Sequence, residues 1–304
     1  MKKNGLVGTY APHSIGLVMR ECVRQALYAI RNERITFIAK AKNVSYKTEE
    51  DLVTSADIAA QAIYVKILNE HFPDAGIIAE EDFSRKCTHP TDNFYFTIDP
   101  LDGTKAYGRR QSHGVSTMIS FVHNGVVEGI TIGDPNSMEL FHSRPGTTKV
   151  SRIYDLETAV QLSIDPALCL KKQYLQLRTD PRKLSAHAQQ FVSIDPSLKI
   201  FKDIEVIGGS IGITFSRLWK GEVGAVLLDR QQTAQTPWDS SPVMGMSQKM
   251  GFIFFEIVAS GLRQVAYIPS EKNTATEHEM LIVHRSRIED LRKSMKKGII
   301  TDLC

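Results

Sequence analysis

Cysteine is scarce and scattered: Cys22, Cys87, Cys169 and Cys304 lie far apart and form no CxxC pair. That argues against a disulfide scaffold or a zinc site and implies unbridged thiols in a reducing compartment. Long apolar runs are also missing, since the longest, such as residues 251–259, fall well short of the roughly 20 residues a membrane span requires. Met1-Lys2-Lys3 imitates the start of a signal peptide, but Pro12, His13 and Arg20 interrupt any apolar stretch behind it, so a cytoplasmic protein with no membrane partner is expected. Charge of one sign is nowhere concentrated. With a net charge of +3, a pI of about 8.6 and scattered Lys and Arg, no nucleic-acid polymer is expected as a partner, while small anionic substrates suit the mild positive bias. There is no internal repeat and no low-complexity linker. What is present is ordinary globular composition, 42% hydrophobic and 23% charged over 304 residues, enough for one large or two modest cores.

Periodicity supplies the elements. Ile15, Val18, Cys22, Ala26 and Ala29 recur at helical spacing within residues 14–32, with Arg20, Arg24 and Arg31 between them, which predicts an amphipathic helix. After a polar stretch over residues 40–50, Ser55 is placed to cap a helix whose Ile58, Ala62 and Val65 share a face until His71-Phe72-Pro73 ends it. Short apolar runs at residues 76–79 and 94–98 read as strands that end in Glu80-Glu81 and in Asp99. Residues 115–122 and 126–133, joined by Asn124-Gly125, predict a hairpin whose two turn residues take positive φ. The first half therefore reads as α+β with an antiparallel sheet. Beyond Gly146 the texture changes to α/β: strands at residues 174–177, 225–228 and 280–283, with helices around residues 211–220, from about Pro237, and over the basic residues 287–297. We expect two domains, residues 1–148 with most of the candidate ligands and residues 149–304 contributing Asp239 and a Gly208-Gly209-Ser210 loop.

Four acidic segments carry the chemistry. In Asp99-Pro100-Leu101-Asp102-Gly103-Thr104 the two carboxylates are three apart around Pro100 and Gly103, so a turn can aim both to one side. Hard cations such as Mg²⁺ want oxygen ligands, and the Leu101 carbonyl can add one. Gly103 and Thr104 would open a helix whose unpaired N–H groups attract phosphate. Taken alone, such a segment is equally a plain turn of common turn formers. Glu80-Glu81-Asp82 could be a solvated rim or could send Glu80 inward, with Glu81 and Asp82 assisting or facing water. Asp51-Leu52-Val53-Thr54-Ser55-Ala56-Asp57 and Trp238-Asp239-Ser240-Ser241-Pro242 each read equally as capped helix starts.

Together, in this order, the four segments resemble the inositol monophosphatase superfamily, whose patterns are Asp-x-Val-Thr-x-x-Asp, Gly-Glu-Glu, Asp-Pro-Leu/Ile-Asp-Gly-Thr and Trp-Asp-x-x-Pro/Ala. The resemblance implies a layered α-β-α-β-α sandwich, mixed α+β and α/β, of the inositol monophosphatase and fructose-1,6-bisphosphatase type. It implies two or three Mg²⁺ ions, with Glu80, Asp99 and the Leu101 carbonyl on one, and Asp99, Asp102 and Asp239 on another. It further implies that Asp57 and Thr104 orient and activate water and that Gly103 and Thr104 amides hold phosphate. Lys105, Gly209 and Ser210 are then candidate substrate contacts, and lithium sensitivity and a homodimer are expected on the same basis. The implied activity is Mg²⁺-dependent hydrolysis of a small phosphate monoester, inositol monophosphate by default. Departures bear on the substrate: Lys105-Ala106-Tyr107-Gly108-Arg109-Arg110 follows the acidic loop, closer to branches acting on 3′-phosphoadenosine 5′-phosphate or histidinol phosphate. Gln232 stands where inositol enzymes carry glutamate, and Ala79 replaces the usual glycine. A catalytically silent binding protein of the same fold is the remaining alternative.

Overall fold

The structure is a computed structural model that describes residues 7, 9–42, 51–155, 157–193, 195, 199–230 and 235–294. Gln232, Cys304, most of the polar stretch at 40–50 and residues 295–297 of the expected basic helix lie outside the described residues. Helix α1 (Pro12–Glu33) is followed by a ribbon of β1 (Ala39–Lys42) and β2 (Asp51–Thr54), then α2 (Ser55–His71), β3 (Gly76–Ala79), β4 (Ser84–Arg85), β5 (Phe94–Asp102) and the short α3 (Thr104–Gly108). Strands β6 (Ser116–His123), β7 (Val126–Asp134), β8 (Glu139–Ser143), β9 (Ser151–Tyr154) and β10 (Thr158–Gln161) complete one sheet of eight strands, ordered β10-β9-β8-β7-β6-β5-β3-β4. The hairpin turn takes the expected form, with Asn124 at φ 49° and Gly125 at 76°. One pair departs from the antiparallel expectation, because β3 runs parallel to β5.

The second half adds β11 (Tyr174–Leu177), α4 (Ala186–Gln189), β12 (Asp203–Val206), α5 (Ile211–Trp219), β13 (Ala225–Leu228), α6 (Pro237–Met250), β14 (Phe252–Val258), β15 (Gly261–Val265), β16 (Met280–His284) and α7 (Ile288–Ser294). Its six strands are ordered β12-β11-β13-β16-β14-β15, with β11 parallel to both β12 and β13. Helices α1 and α2 cover one face of the first sheet, α5 and α6 lie between the two sheets, and α4 packs on the second. This is the layered α-β-α-β-α arrangement. Because helices cover both its faces, β5 is buried along its whole length and reads as a continuous apolar run up to its carboxylates. Each fully buried Phe or Ile in these layers contributes roughly 1.5–3 kcal/mol. No helix among the described residues is long and apolar enough to cross a membrane.

The fold departs from the sequence expectation in its domain division and in the facing of α2. The first sheet continues through Gln161, so a division at 148 cuts it before its last two strands, and the passage to the second sheet lies between Gln161 and Tyr174. Helix α2 is rotated relative to expectation. Its buried side chains are Ala56, Asp57, Ala60, Gln61, Tyr64, Ile67 and Leu68, while Ile58 stands 55% exposed. The stripe through Ile58 and Ala62 loses because burying the opposite stripe brings Asp57 and Gln61 inward, where both find partners. The N-cap is also Thr54, one residue earlier than Ser55, whose hydroxyl instead donates to Glu33 Oε2 at 2.7 Å and ties α2 to the end of α1.

Candidate active site

Strand β5 carries the centre of the site, and it does so through a bulge. Asp99 pairs with Met118 and Asp102 with Ser116, so three steps on β5 match two on β6. Residues three apart on a regular strand face opposite sides; the extra residue returns Asp102 to the side of Asp99. Pro100, which has no N–H to give to a ladder, sits where the ladder is broken. The expected turn is therefore a strand irregularity that achieves the same convergence. Asp99 Oδ1 accepts from the Leu101 N–H at 3.0 Å.

Asp102 is held from the other half of the chain. Its carboxylate accepts from the N–H groups of Ile211 and Gly212 at 3.1 and 2.8 Å, at the start of α5, from Ser116 Oγ at 2.9 Å and from Ser210 Oγ. Unpaired N–H groups and the positive end of the helix stabilise that charge. Asp239 enters from the first turn of α6, where it accepts from its N-cap residue Thr236 Oγ1 at 2.7 Å. One oxygen from each of Asp99, Asp102 and Asp239 lies within 4.8 Å of the others. Asp99 and Asp102 are buried.

Such crowding shows in the titration of the group. Burial, then the charges of Glu80, Asp239 and Asp102, push Asp99 well above the usual carboxylate range. Burial and Asp239 also raise Asp102, against the opposing pull of Arg178, Ser210 and the Gly212 N–H. All donors in the group are oxygens, and buried like charges at this spacing are costly without a counter-ion. The arrangement fits a hard divalent cation such as Mg²⁺. Glu80, just past the end of β3, lines the same cleft outside this tight trio. Its neighbour Glu81 is fixed by Gln61, which donates to the Glu81 carbonyl at 2.7 Å and accepts from its N–H at 2.9 Å.

Beside the acids stands a second pair. Asp57 Oδ2 accepts from the Thr54 N–H at 2.7 Å and from the Thr54 hydroxyl, a capping arrangement that leaves Oδ1 facing Thr104 Oγ1 at 3.3 Å. The same Thr104 hydroxyl donates to the Leu101 carbonyl at 2.9 Å. Gly103 turns the chain between them at φ 90°, and a β-carbon there would lie 2.3 Å from the Gly114 carbonyl oxygen. Only glycine fits.

The cleft, of about 340 Å³, is lined by these acids together with Gly103, Thr104, Lys105, Arg109, Gly209 and Arg178. Every residue expected at the site from sequence faces it except two. Asp57 sits behind Thr104 in the second rank, and the Ser210 hydroxyl is turned inward. That hydroxyl bonds Asp102 and Ser116 and accepts from the Ile213 N–H at 2.9 Å as the N-cap of α5, so it positions Asp102 rather than facing a substrate. Of the three basic residues after the loop, Lys105 and Arg109 reach the cleft, whereas Arg110 lies over the Phe37 ring at 5.9 Å.

Arg178 is a site residue that the sequence pattern did not single out. It follows directly on β11, donates to the Gly209 carbonyl, and its Nε is buried with no partner. Parallel strands deliver ligand-facing residues at their carboxyl ends, and here the ends of β11, β12 and β13 supply Arg178, Gly209 and Asp229. A charged residue immediately after an apolar strand was the available signal. Arg178, Asp229 and His278 line a smaller chamber of about 70 Å³ that shares Asp102 and Asp239 with the cleft.

Comparison with known proteins agrees with this geometry. Residues 18–242 match the model of the inositol monophosphatase family. Among similar proteins are the Nus factor SuhB of Xylella fastidiosa (29% identity over 168 residues, 55% of this chain and 57% of that one) and the inositol-1-monophosphatase of Synechocystis (28% over 150 residues, 49% and 51%). The chain spans about half the length of the curated relatives it matches. A solved IMPase/NADP phosphatase, complexed with Mg²⁺ and phosphate, superposes with a TM-score of 0.69 at 17% identity over 94% of this chain and 96% of that one, a likeness of fold. With the family match extending over most of the sequence and the acids converging as its motifs require, the chain belongs to the inositol monophosphatase family.

Proposed function

We propose that the protein is a Mg²⁺-dependent phosphatase of small phosphate monoesters that attacks the phosphorus with water and forms no covalent enzyme intermediate. The observation that carries this reading is the gathering of Asp99, Asp102 and Asp239 within 4.8 Å beside the Thr104–Asp57 pair. Glu80, Asp99 and the Leu101 carbonyl would hold one ion and Asp99, Asp102 and Asp239 another. When bound, such ions lower the pKa of water and offset negative charge on the phosphoryl group.

The chain's own residues do the rest. With the Leu101 carbonyl given over to an ion, the Thr104 hydroxyl proton turns from that carbonyl to Asp57 Oδ1, 3.3 Å away, and Thr104 Oγ1 is then free to accept from the attacking water. Asp57 is kept in place by its bonds to Thr54 at the start of α2. Backbone amides at Gly103 and Thr104 orient the phosphate, and Lys105 supplies positive charge at the mouth.

Inositol monophosphate is the default substrate of the family. A second reading, an ester with another anionic group such as 3′-phosphoadenosine 5′-phosphate, is favoured by one observation: Arg178 presents a buried, unpartnered Nε beside Asp102, with Lys105 and Arg109 on the same cleft. Histidinol phosphate and NADP complete the set of candidates. Phosphate release from inositol-1-phosphate, 3′-phosphoadenosine 5′-phosphate, fructose-1,6-bisphosphate, histidinol phosphate and NADP, with Mg²⁺ and with chelator, tests both readings. Turnover that needs Mg²⁺ supports the proposal and its substrate profile chooses between them. Mg²⁺ binding without turnover on any ester would favour a silent binding protein instead. A homodimer and a cytoplasmic location are part of the same proposal, and sedimentation in solution tests the first.

A further inference from the structure

Strand β3 passes to its antiparallel neighbour β4 through a loop of Glu80, Glu81 and Asp82, closed by the Ala79 N–H donating to the Phe83 carbonyl at 2.9 Å. Asp82 stands in the left-handed conformation at φ 49°, which commonly ends a three-residue hairpin loop and which aspartate tolerates better than most residues. At the front of the loop the Glu80 N–H donates to the Ile98 carbonyl at 3.2 Å, so Glu80 starts beside Asp99. Its charge is the first of the neighbouring charges that push Asp99 upward. Glu81, in the middle of the loop, belongs to neither strand ladder.

Both backbone groups of Glu81 go to one side chain. Gln61 Nε2 donates to the Glu81 carbonyl at 2.7 Å and Gln61 Oε1 accepts from the Glu81 N–H at 2.9 Å, so the amide copies the paired bonds of a neighbouring strand. The two bonds also fix which way the amide points, because only Oε1 can accept and only Nε2 can donate. Gln61 is buried one turn after Asp57 on the same face of α2. One helix face thus holds both the loop that carries Glu80 and the carboxylate that faces Thr104.

We propose that Gln61 is a positioning residue of the metal site: by clamping both backbone groups of Glu81 it sets the direction in which Glu80 leaves the loop, and with it the affinity for the ion that Glu80 shares with Asp99. This rests on the two-ion reading above. Without the clamp the Ala79–Phe83 closure still holds the hairpin together, and the aim of Glu80 is what loosens. Outer partners that orient a ligand typically change metal affinity by about 10–100-fold. The ion on Asp99, Asp102 and Asp239 is supported from α5 and α6 instead, through the Gly212 N–H and Thr236 Oγ1.

Calorimetric titration with Mg²⁺ of the full chain and of Gln61→Met, which keeps the reach of the side chain and removes both bonds, tests the assignment. The expected result is Mg²⁺ binding weakened about tenfold or more at one site. The Mg²⁺ concentration for half-maximal phosphate release should rise by the same factor, with kcat at saturating Mg²⁺ largely retained. Gln61→Glu keeps the acceptor for the Glu81 N–H and lacks the donor for its carbonyl, so it should recover part of the affinity, and it reads the same effect if Gln61→Met folds poorly. Ile67→Ala, buried on the same helix, should lower Tm and leave Mg²⁺ affinity unchanged. Wild-type affinity in Gln61→Met, no recovery in Gln61→Glu, or an equal loss in Ile67→Ala would overturn the positioning role. No Mg²⁺ binding by the wild type would overturn the two-ion reading itself, which keeps the two failures apart.

Discussion

The acid cleft and the basic concavity that Arg20, Arg144 and Lys149 line between α1 and the end of β8 are both like-charged hollows, yet the chain builds them in opposite ways. Asp99, Asp102 and Asp239 are short side chains fixed by a strand bulge and by two helix starts, with hydrogen bonds to Leu101, Gly212 and Thr236 holding their oxygens in place. Arg20, Arg144 and Lys149 are long side chains on a helix face and a strand end, two of them exposed. The acids cannot move apart to relieve repulsion; the bases can. Repulsion that the fold enforces requires a cation or a proton, and the burial and neighbouring charges that push Asp99 upward favour the proton where no cation is bound. Repulsion that solvent can relax requires nothing, so the basic hollow stands without a counter-ion.

The largest expected effect breaks the acid side of this contrast. Asp99→Asn removes the carboxylate shared by both proposed ions and should lower turnover about a thousandfold or more, the equivalent of several kcal/mol of lost charge stabilisation, measured as phosphate release. Next, Asp57→Asn or Thr104→Ala should slow turnover by about a hundredfold, within the range of lost general-base assistance, while calorimetry finds Mg²⁺ still bound. Loss of Mg²⁺ binding in these two variants would show that the second rank acts on the metals instead. Smaller again, Arg178→Ala should raise KM for 3′-phosphoadenosine 5′-phosphate about tenfold and leave inositol-1-phosphate less affected. An equal rise for both would assign Arg178 to holding Asp102 and Gly209.

The smallest effect concerns stability in the absence of metal. Asp99 titrates above its unfolded value, so the folded chain holds a proton that the unfolded chain releases. Stability is then greatest below the ordinary carboxylate range and falls as pH rises through the raised value. Asp99→Asn should flatten that decline and raise Tm by a few degrees in chelator near neutral pH, read by thermal melts across pH. A steeper decline in the variant would contradict the crowding.

Much of the acid cleft was legible in the sequence because its signals are local. Asp99 and Asp102 around Pro100 and Gly103, Glu80 after an apolar run, and Asp239 behind Pro237 each show their chemistry within a few residues. Asn124-Gly125 announced its hairpin for the same reason. The bulge was not legible, since a turn and an irregular strand end use the same residues. Helix α2 was misoriented because hydrophobicity favoured the stripe with Ile58, and only the partners of Asp57 and Gln61 reverse it. Strands β14 and β15 went unassigned because an apolar run such as residues 252–258 carries no period that separates strand from buried helix. Arg178 and the basic hollow depend on segments distant in the chain that meet only once the sheets are assembled.

The most direct test of the central claim is calorimetric titration with Mg²⁺, in buffers of different ionisation enthalpy, of the wild type and Asp99→Asn side by side. Saturable binding with proton release in the wild type, and its loss in Asp99→Asn, is the predicted result. Mg²⁺ binding that Asp99→Asn leaves intact, or no binding by the wild type, would contradict it.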